Sequence, residues 1–352
     1  MMEQEYKYMV CTRCFTFNHA PYIVDAMNGF TMQETTFPVI TIIVDDASTD
    51  GEPDVIRQYL VENFQAPYNT EETDDYYLIC ANHTTNPNCT FVVFLLKYNH
   101  YSIKKSKMPY LSEWLDNAKY IAICEGDDYW IDSLKLQKQV DFLEGHPDYS
   151  MSHTRYIVFK TSINHFDDDK HRNERCLKMN NDGIVNPEFL IHGYTIRTLT
   201  VVFRSCIRNK LSLMDSFLYK PGVFLMGDTQ LWFGLSRFGK IHYLPEITSV
   251  YRKHEGSATM QKSFKKNIRF TLSSWERNYY LSYKYDFSDE EKTRSASELG
   301  RYLAIYRILD STYEPPIAEV LPVPYYKGNA YGLFIHEYWN FFKAKILRSL
   351  NL

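Results

Sequence analysis

A chain of 352 residues is long enough to bury a substantial core. Its net charge of -4 and the lack of a long basic run exclude a general nucleic-acid binder, which needs a basic face for phosphate contacts. No stretch approaches the roughly 18 apolar residues of a spanning helix, and the polar opening Met1 to Tyr8 leads into a stretch too short for a secretory signal, so the expectation is a cytoplasmic chain with at most peripheral contact at the inner membrane face.

In chain order, short apolar runs alternate with helical patterns from residue 7 to about 144, the mark of a layered α/β fold with a largely parallel sheet. Strands are predicted near Tyr8 to Cys14, Val39 to Val44, Phe91 to Leu96 and Tyr120 to Cys124. Helices fit between them at Pro21 to Thr31, Pro53 to Asn63 and Pro109 to Asn117, with Pro21 and Pro53 suited to a first helical turn. Gln65 to Asn88 reads as an irregular insertion, and the charged run Asp167 to Arg175 as a solvated loop. A helix is expected to start at Asp228 and a strand to cover Glu246 to Tyr251. Beyond Gln261 the pattern is helical in three pieces, broken near Asp286 to Ser288 and at Pro315 to Pro324. The seven cysteines, an odd and scattered set, fit a reducing compartment, and Cys11 and Cys14 lack the second pair a zinc site would need.

Two acidic segments stand at strand ends, where ligands of an open parallel sheet bind. Val44-Asp45-Asp46-Ala47-Ser48-Thr49-Asp50-Gly51 offers carboxylates able to accept from a base N–H or ribose hydroxyls; the plain alternative is that they cap the next helix. In Cys124-Glu125-Gly126-Asp127-Asp128-Tyr129-Trp130, three carboxylates within four residues repel one another, a cost that a bound divalent cation removes. Magnesium or manganese bridging diphosphate oxygens would also stabilise charge on a leaving group. Asp74-Asp75 and Asp167-Asp168-Asp169, in polar surroundings, read as solvated acidic runs by contrast.

With these segments the chain resembles the inverting glycosyltransferases of family 2, of the GT-A fold and bacterial surface-polysaccharide type. The likeness rests on Cys14-Phe15-Thr16-Phe17-Asn18-His19-Ala20-Pro21-Tyr22-Ile23, on Asp45 to Gly51, on Glu125-Gly126-Asp127-Asp128-Tyr129-Trp130, similar to the family's Asp-x-Asp metal motif, and on Leu136-Gln137-Lys138-Gln139. Glu125 stands where the family has Asp, and Gln65 to Asn88 lengthens the region before the third strand. The resemblance implies a GT-A catalytic domain over residues 1–260, its nucleotide-binding half about 1–130 and its acceptor half about 131–260, followed by a helical extension over 261–352. It implies that Thr16, Asn18 and Asp45 or Asp46 contact the nucleotide. It further implies that Glu125 and Asp127 hold Mn2+ or Mg2+, with Asp128 at the diphosphate.

An inverting transfer also needs a base for the acceptor hydroxyl, and Met226-Gly227-Asp228-Thr229-Gln230-Leu231-Trp232 places Asp228 at a position comparable to the family's; a helix cap is its plain alternative. Val250-Tyr251-Arg252-Lys253-His254-Glu255-Gly256-Ser257 resembles the segment whose His reaches the metal or diphosphate, which marks His254, with Arg252 and Lys253 offsetting phosphate charge. Trp130 and Trp232, beside the carboxylates, are candidates to stack on a sugar or base.

The expected partners are a nucleotide-diphospho-sugar and a glycan or lipid-linked acceptor, with a homo-oligomer and peripheral membrane contact open. A sugar nucleotidyltransferase would carry a Gly-rich phosphate loop, and Cys11 to Tyr22 contains no Gly. A non-catalytic sugar-binding relative draws its weight from Glu125. Between His336 and Leu352, aromatic and aliphatic residues alternate with Lys343, Lys345 and Arg348, a composition that suits an interfacial helix as well as one packed on the domain.

Overall fold

The computed structural model describes residues 5–179, 187–191, 196–254 and 263–349. The first half builds β1 (Tyr8–Thr16), α1 (Ile23–Thr31), β2 (Val39–Asp45), α2 (Glu52–Asn63), β3 (Asn69–Glu72), β4 (Tyr76–Asn82), β5 (Cys89–Leu96), α3 (Met108–Asp116), β6 (Ala118–Ile123), β7 (Tyr129–Trp130) and α4 (Lys135–Gly145). Then come β8 (Tyr149–Lys160), β9 (His165–Asp167), α5 (Lys170–Met179), α6 (Pro187–Ile191), β10 (Val201–Arg204), α7 (Arg208–Met214), α8 (Asp228–Phe238) and β11 (Lys240–Lys253). Three helices follow: α9 (Phe264–Lys284), α10 (Asp289–Leu309) and α11 (Ala330–Ser349).

The strands form one sheet in the order β3-β4-β5-β2-β1-β6-β10-β8-β11-β7, with β9 paired to β8. Its centre, β5-β2-β1-β6, is parallel, as the βαβ pattern predicts. Every residue of β2 is buried, because helices cover both faces of a parallel strand and no alternation is needed. One apolar layer joins Ile43, Phe91 and Ala122 to Ile23, Met27 and Phe30 of α1 and Leu136 of α4. The other joins Ile42, Val44 and Phe94 to Leu111 of α3 and Trp232 of α8. Helices α9 and α10 build a third cluster, into which Phe233 of α8 also packs.

Three expectations change. Gln65 to Asn88 is not irregular: β3 and β4 form a hairpin that extends the sheet antiparallel to β5. Its polar strand β3 is exposed at the sheet edge, so no apolar run announced it. Together with the antiparallel β10, this makes the sheet mixed outside its parallel centre. Asp167 to Arg175 is not a loop either, since it holds the end of β9 and most of α5, with Asp168 paired to Arg155 and Asp169 accepting from the Tyr156 hydroxyl at 2.8 Å. Asp75 is likewise engaged, by Lys105 at 2.6 Å and the Tyr110 hydroxyl at 3.1 Å.

Two contacts set how the helices seat on the sheet. Helix α1 crosses β7 so closely that a Cβ on Gly29 would lie 2.8 Å from the Trp130 backbone nitrogen and 3.0 Å from its carbonyl oxygen. At the start of α4, the buried Lys135 ammonium sits 4.6 Å from the Trp130 ring and donates to Gln139 Oε1 at 2.6 Å. Gln139 in turn donates to the carbonyls of Ser152 and Thr200, at 2.9 and 3.0 Å. Burial pushes the Lys135 amine down to about 7, against smaller opposing effects of Cys124 and Asp132.

Gly29→Ala should therefore lower stability by about 1–3 kcal/mol, a backbone clash outweighing the up to roughly 1 kcal/mol that Ala brings to a helix; urea denaturation measures it. For Lys135, the folded amine is neutral above about 7 while the unfolded chain keeps its proton to the ordinary value of 10.5. Between those values the unfolded state binds the extra proton, so stability rises with pH, at most about 1.4 kcal/mol per unit. Lys135→Met should remove that rise, and the stability difference between variant and wild type, measured at neutral and alkaline pH, should move in the wild type's favour as pH increases.

Candidate active site

Strands β1, β2 and β6 run parallel and end together. Thr16 pairs in register with Asp45, and past the end of β6 the N–H groups of Cys124 and Gly126 bond to the carbonyls of Arg13 and Phe15 at 3.1 and 3.0 Å. The two predicted acidic segments are thus delivered to one edge of the sheet, as the strand-end argument requires.

The loop after β1 and the loop after β2 are joined through one buried carboxylate. Glu52, in the first turn of α2, accepts from the Thr16 hydroxyl, from the His19 N–H at 2.8 Å and from the Ser48 hydroxyl at 2.8 Å. Asn18 takes a left-handed backbone conformation at φ 56°, which Asn tolerates better than most residues. Its N–H donates to Ser48 Oγ at 2.8 Å and its side-chain carbonyl accepts from the Thr49 N–H at 2.8 Å. Asp50 completes the join by accepting from the Ala20 N–H at 2.9 Å.

Asp45 and Asp46 are both buried but differ in what they hold. Asp45 Oδ2 accepts the Ser48 N–H at 3.1 Å, while its Oδ1 is a buried oxygen with no hydrogen-bond partner among the described residues, and burial raises its carboxyl above the ordinary range. Asp46 is fully occupied internally. It accepts the N–H of His100 at 2.7 Å, the N–H of Tyr101 at 3.2 Å and the Lys107 ammonium at 2.8 Å, and so pins the loop after β5.

The predicted metal motif divides in the same manner. Glu125 accepts the Phe15 N–H at 3.0 Å and lies 3.5 Å from the Arg13 guanidinium, so its carboxylate serves β1. Asp128 is buried and accepts the Arg252 N–H at 2.8 Å. Burial, then the neighbouring Asp127, push its carboxyl well above the ordinary range. Asp127 is the carboxylate that meets imidazoles: its Oδ2 lies 3.0 Å from His254 Nε2, and donor atoms of His19, Asp127 and His254 all fall within 4.8 Å of one another. Burial raises Asp127, but the His254 hydrogen bond and the charge of both imidazoles leave it below the usual carboxylate range. His19 is lowered by burial, with Asp127 opposing.

One carboxylate and two imidazoles make a donor set that suits manganese, iron or zinc, whereas magnesium prefers oxygen throughout. Of the expected ligands the structure brings together Asp127 and His254, adds His19 and leaves Glu125 outside the group. Neither His19 nor Glu52 was singled out from sequence. Glu52 meets Thr16 and His19 from 36 and 33 residues away, and His19 meets Asp127 and His254 from still farther, so only the strand alignment joins them; the one available signal was a His directly after Asn18 at a strand end.

Other expectations change. Trp130 and Trp232 are core residues: Trp130 packs edge-on against Phe30 at 5.1 Å and donates to the Leu199 carbonyl at 2.8 Å, and Trp232 lies in the cluster beneath α8. Their apolar area is better buried than offered to a sugar. Arg252 is drawn away from a phosphate role by Asp25 at 2.6 Å and by the rings of Tyr22 and Tyr129 at 4.6 and 4.9 Å. Asp228 opens α8 one residue after the cap position, which Gly227 fills, and its Oδ1 accepts the Thr229 N–H at 2.8 Å. Glu255, Gly256 and Ser257 lie outside the described residues. A separate groove of about 650 Å³, lined by Gln33, Thr36, Asn86 and Gln137 among others, lies at the amino ends of β2 and β5, the opposite edge of the sheet.

No protein-family model matches the chain. Among curated proteins it is similar to the uncharacterized protein Rv1520 of Mycobacterium tuberculosis and the uncharacterized protein Mb1547 of Mycobacterium bovis. Each is 29% identical over 240 residues, or 68% of this chain, and the match spans 57% of those longer relatives. Among solved structures it is similar to TarS of S. aureus, at TM-score 0.46 and 14% identity over 86% of this chain and 44% of that one. It is also similar to the mannosyltransferase PcManGT of Pyrobaculum calidifontis, solved with GDP-Man and Mn2+, at TM-score 0.47 and 13% identity over 91% of this chain and 82% of that one.

Proposed function

We propose that the chain is an inverting glycosyltransferase that moves a sugar from a nucleotide-diphosphate donor to an acceptor hydroxyl, with a divalent cation held by His19, Asp127 and His254. The observation that carries this reading is the meeting of Asp127 with two imidazoles at the edge where β1, β2 and β6 end; Asp45, at the end of β2, keeps one buried oxygen without a partner among the described residues. That oxygen accepts a base N–H or ribose hydroxyl, and the joined loops carrying Thr16 and Asn18 shape the nucleotide pocket. A cation held by these residues would neutralise diphosphate charge and so assist its departure.

In the transfer, the acceptor oxygen forms its bond to the anomeric carbon as the bond from that carbon to the diphosphate oxygen breaks on the opposite face. The acceptor proton passes to Asp228. Glu125 and Asp46 hold β1 and the loop after β5, and Asp128 holds β11. The sequence resemblance supports a surface-glycan setting for the acceptor.

Manganese affinity, read by titration calorimetry or by the spin-resonance signal of the free ion, should fall at least about tenfold in Asp127→Asn and in His19→Gln, since losing a ligand is no milder than losing an outer-sphere partner. Nucleoside diphosphates should raise the melting temperature of wild type only when manganese is present. Manganese binding unaltered in both variants would remove the metal assignment.

Asp228→Asn should reduce turnover by about 10² to 10⁴ while donor affinity and melting temperature hold. A variant that melts lower but keeps its turnover per folded molecule would reduce Asp228 to a structural residue of the α8 first turn.

A further inference from the structure

Helix α11 has two faces with different fates. Phe334, Tyr338 and Phe341 set their rings against Phe264 of α9, at 5.5, 5.2 and 5.5 Å, and Glu337 reaches Arg301 of α10 at 2.7 Å. The helix is therefore docked on the α9–α10 pair, and its inward face accounts for one part of the apolar residues seen in the sequence. Away from that face, Tyr331 is 70% exposed, Ile335 56%, Trp339 68% and Phe342 42%. Their spacings of four, four and three residues place them in one stripe along the helix. Soluble surfaces do not usually leave a row of large apolar side chains open without a use.

The borders of that stripe carry charge of one sign. At about 100° per residue, Lys343 falls about 40° beyond Trp339 on one side, and on the other Lys345 falls about 40° before Tyr331, on the side of Tyr338 and Phe334 but more than one turn farther along the helix. Both lysines are exposed. The one acidic residue of the helix, Glu337, is turned inward onto Arg301. Apolar centre, aromatic residues and basic margins with no acid between them are the chemistry of a helix lying in the headgroup layer of an anionic bilayer: the stripe enters the acyl boundary while the lysine stems reach back to the phosphates. A second copy of the same stripe fits less well, since it would set lysine margins against lysine margins. Among the described residues no helix is long and apolar enough to cross a membrane, so a helix of this kind lies in the plane.

We propose that the open face of α11 is a docking surface for an anionic phospholipid membrane, entered by Tyr331, Ile335, Trp339 and Phe342 and steered by Lys343 and Lys345. The surface stands independently of the transfer reaction, because it uses no residue of the strand-end site.

Co-sedimentation of the full chain with phosphatidylcholine vesicles, with and without phosphatidylglycerol, tests the surface, with light scattering of the free protein beside it. Wild type should bind the phosphatidylglycerol vesicles, and its tryptophan emission should shift to shorter wavelength as Trp339, the one exposed tryptophan, leaves water. The double variant Trp339→Ser/Phe342→Ser should bind at least about tenfold more weakly with its melting temperature unchanged. Lys343→Glu/Lys345→Glu should lose the preference for phosphatidylglycerol. Equal binding by wild type and the serine variant, equal binding to both vesicle types, or a wild-type dimer that the serine variant splits without any vesicle binding would each overturn the proposal, the last in favour of a second copy on this face.

Discussion

The carboxylate of Glu52, buried in the first turn of α2, accepts from the Thr16 hydroxyl, the His19 N–H and the Ser48 hydroxyl, and by doing so locks the loop after β1 to the loop after β2. Burial alone would drive it toward its neutral form and does raise its carboxyl, while the three donors act against that rise. The arrangement of the strand-end site depends on this join. His19 belongs to the donor group with Asp127 and His254 because its own backbone is tethered to Glu52, and Asn18 is held in its left-handed conformation between Ser48 and Thr49.

Around that join the carboxylates have separate work. Asp46 spends both oxygens on the loop after β5, Glu125 serves β1, and Asp128 fixes the backbone of β11 two residues before His254. What is left for a ligand is Asp127 with its imidazoles, while one oxygen of Asp45 stays buried without a hydrogen-bond partner among the described residues. A dense acidic region is tolerated here because most of its charge is already met by backbone N–H groups, Arg13 and Lys107, each within hydrogen-bonding or ion-pair distance. The remainder is a small, well-positioned set of donors rather than a general negative patch.

The same division of labour runs through the aromatic residues. Trp130 sits at the crossing of α1 and β7 and covers the Lys135 amine, so its ring is a structural joint between α1, α4 and the sheet. On α11 the aromatic residues split by helical face, Phe334 and Phe341 toward Phe264 and Tyr331 and Trp339 toward the outside.

The amino-acid sequence by itself determined the parallel centre of the sheet, because β1, β2, β5 and β6 are runs of apolar residues flanked by helix patterns, a local signal that needs no partner to be read. It also determined that acidic segments end two of those strands, and that three helices follow Gln261. It did not reveal the hairpin β3–β4, whose edge strand is polar, nor helix α5, whose charged residues resemble a loop until Arg155 and Tyr156 pair with Asp168 and Asp169. Which carboxylate holds the backbone and which faces the open edge was decided only by the tertiary structure. Glu125 and Asp127 are near neighbours of like chemistry in sequence, and side-chain direction sends the first to the Phe15 N–H and the second to the His254 imidazole, while of Asp45 and Asp46 only the second is taken up by the loop after β5. Likewise His19 and His254 stand 235 positions apart in the chain, and only the closing of β1 and β11 about the same edge lets their nitrogens meet Asp127.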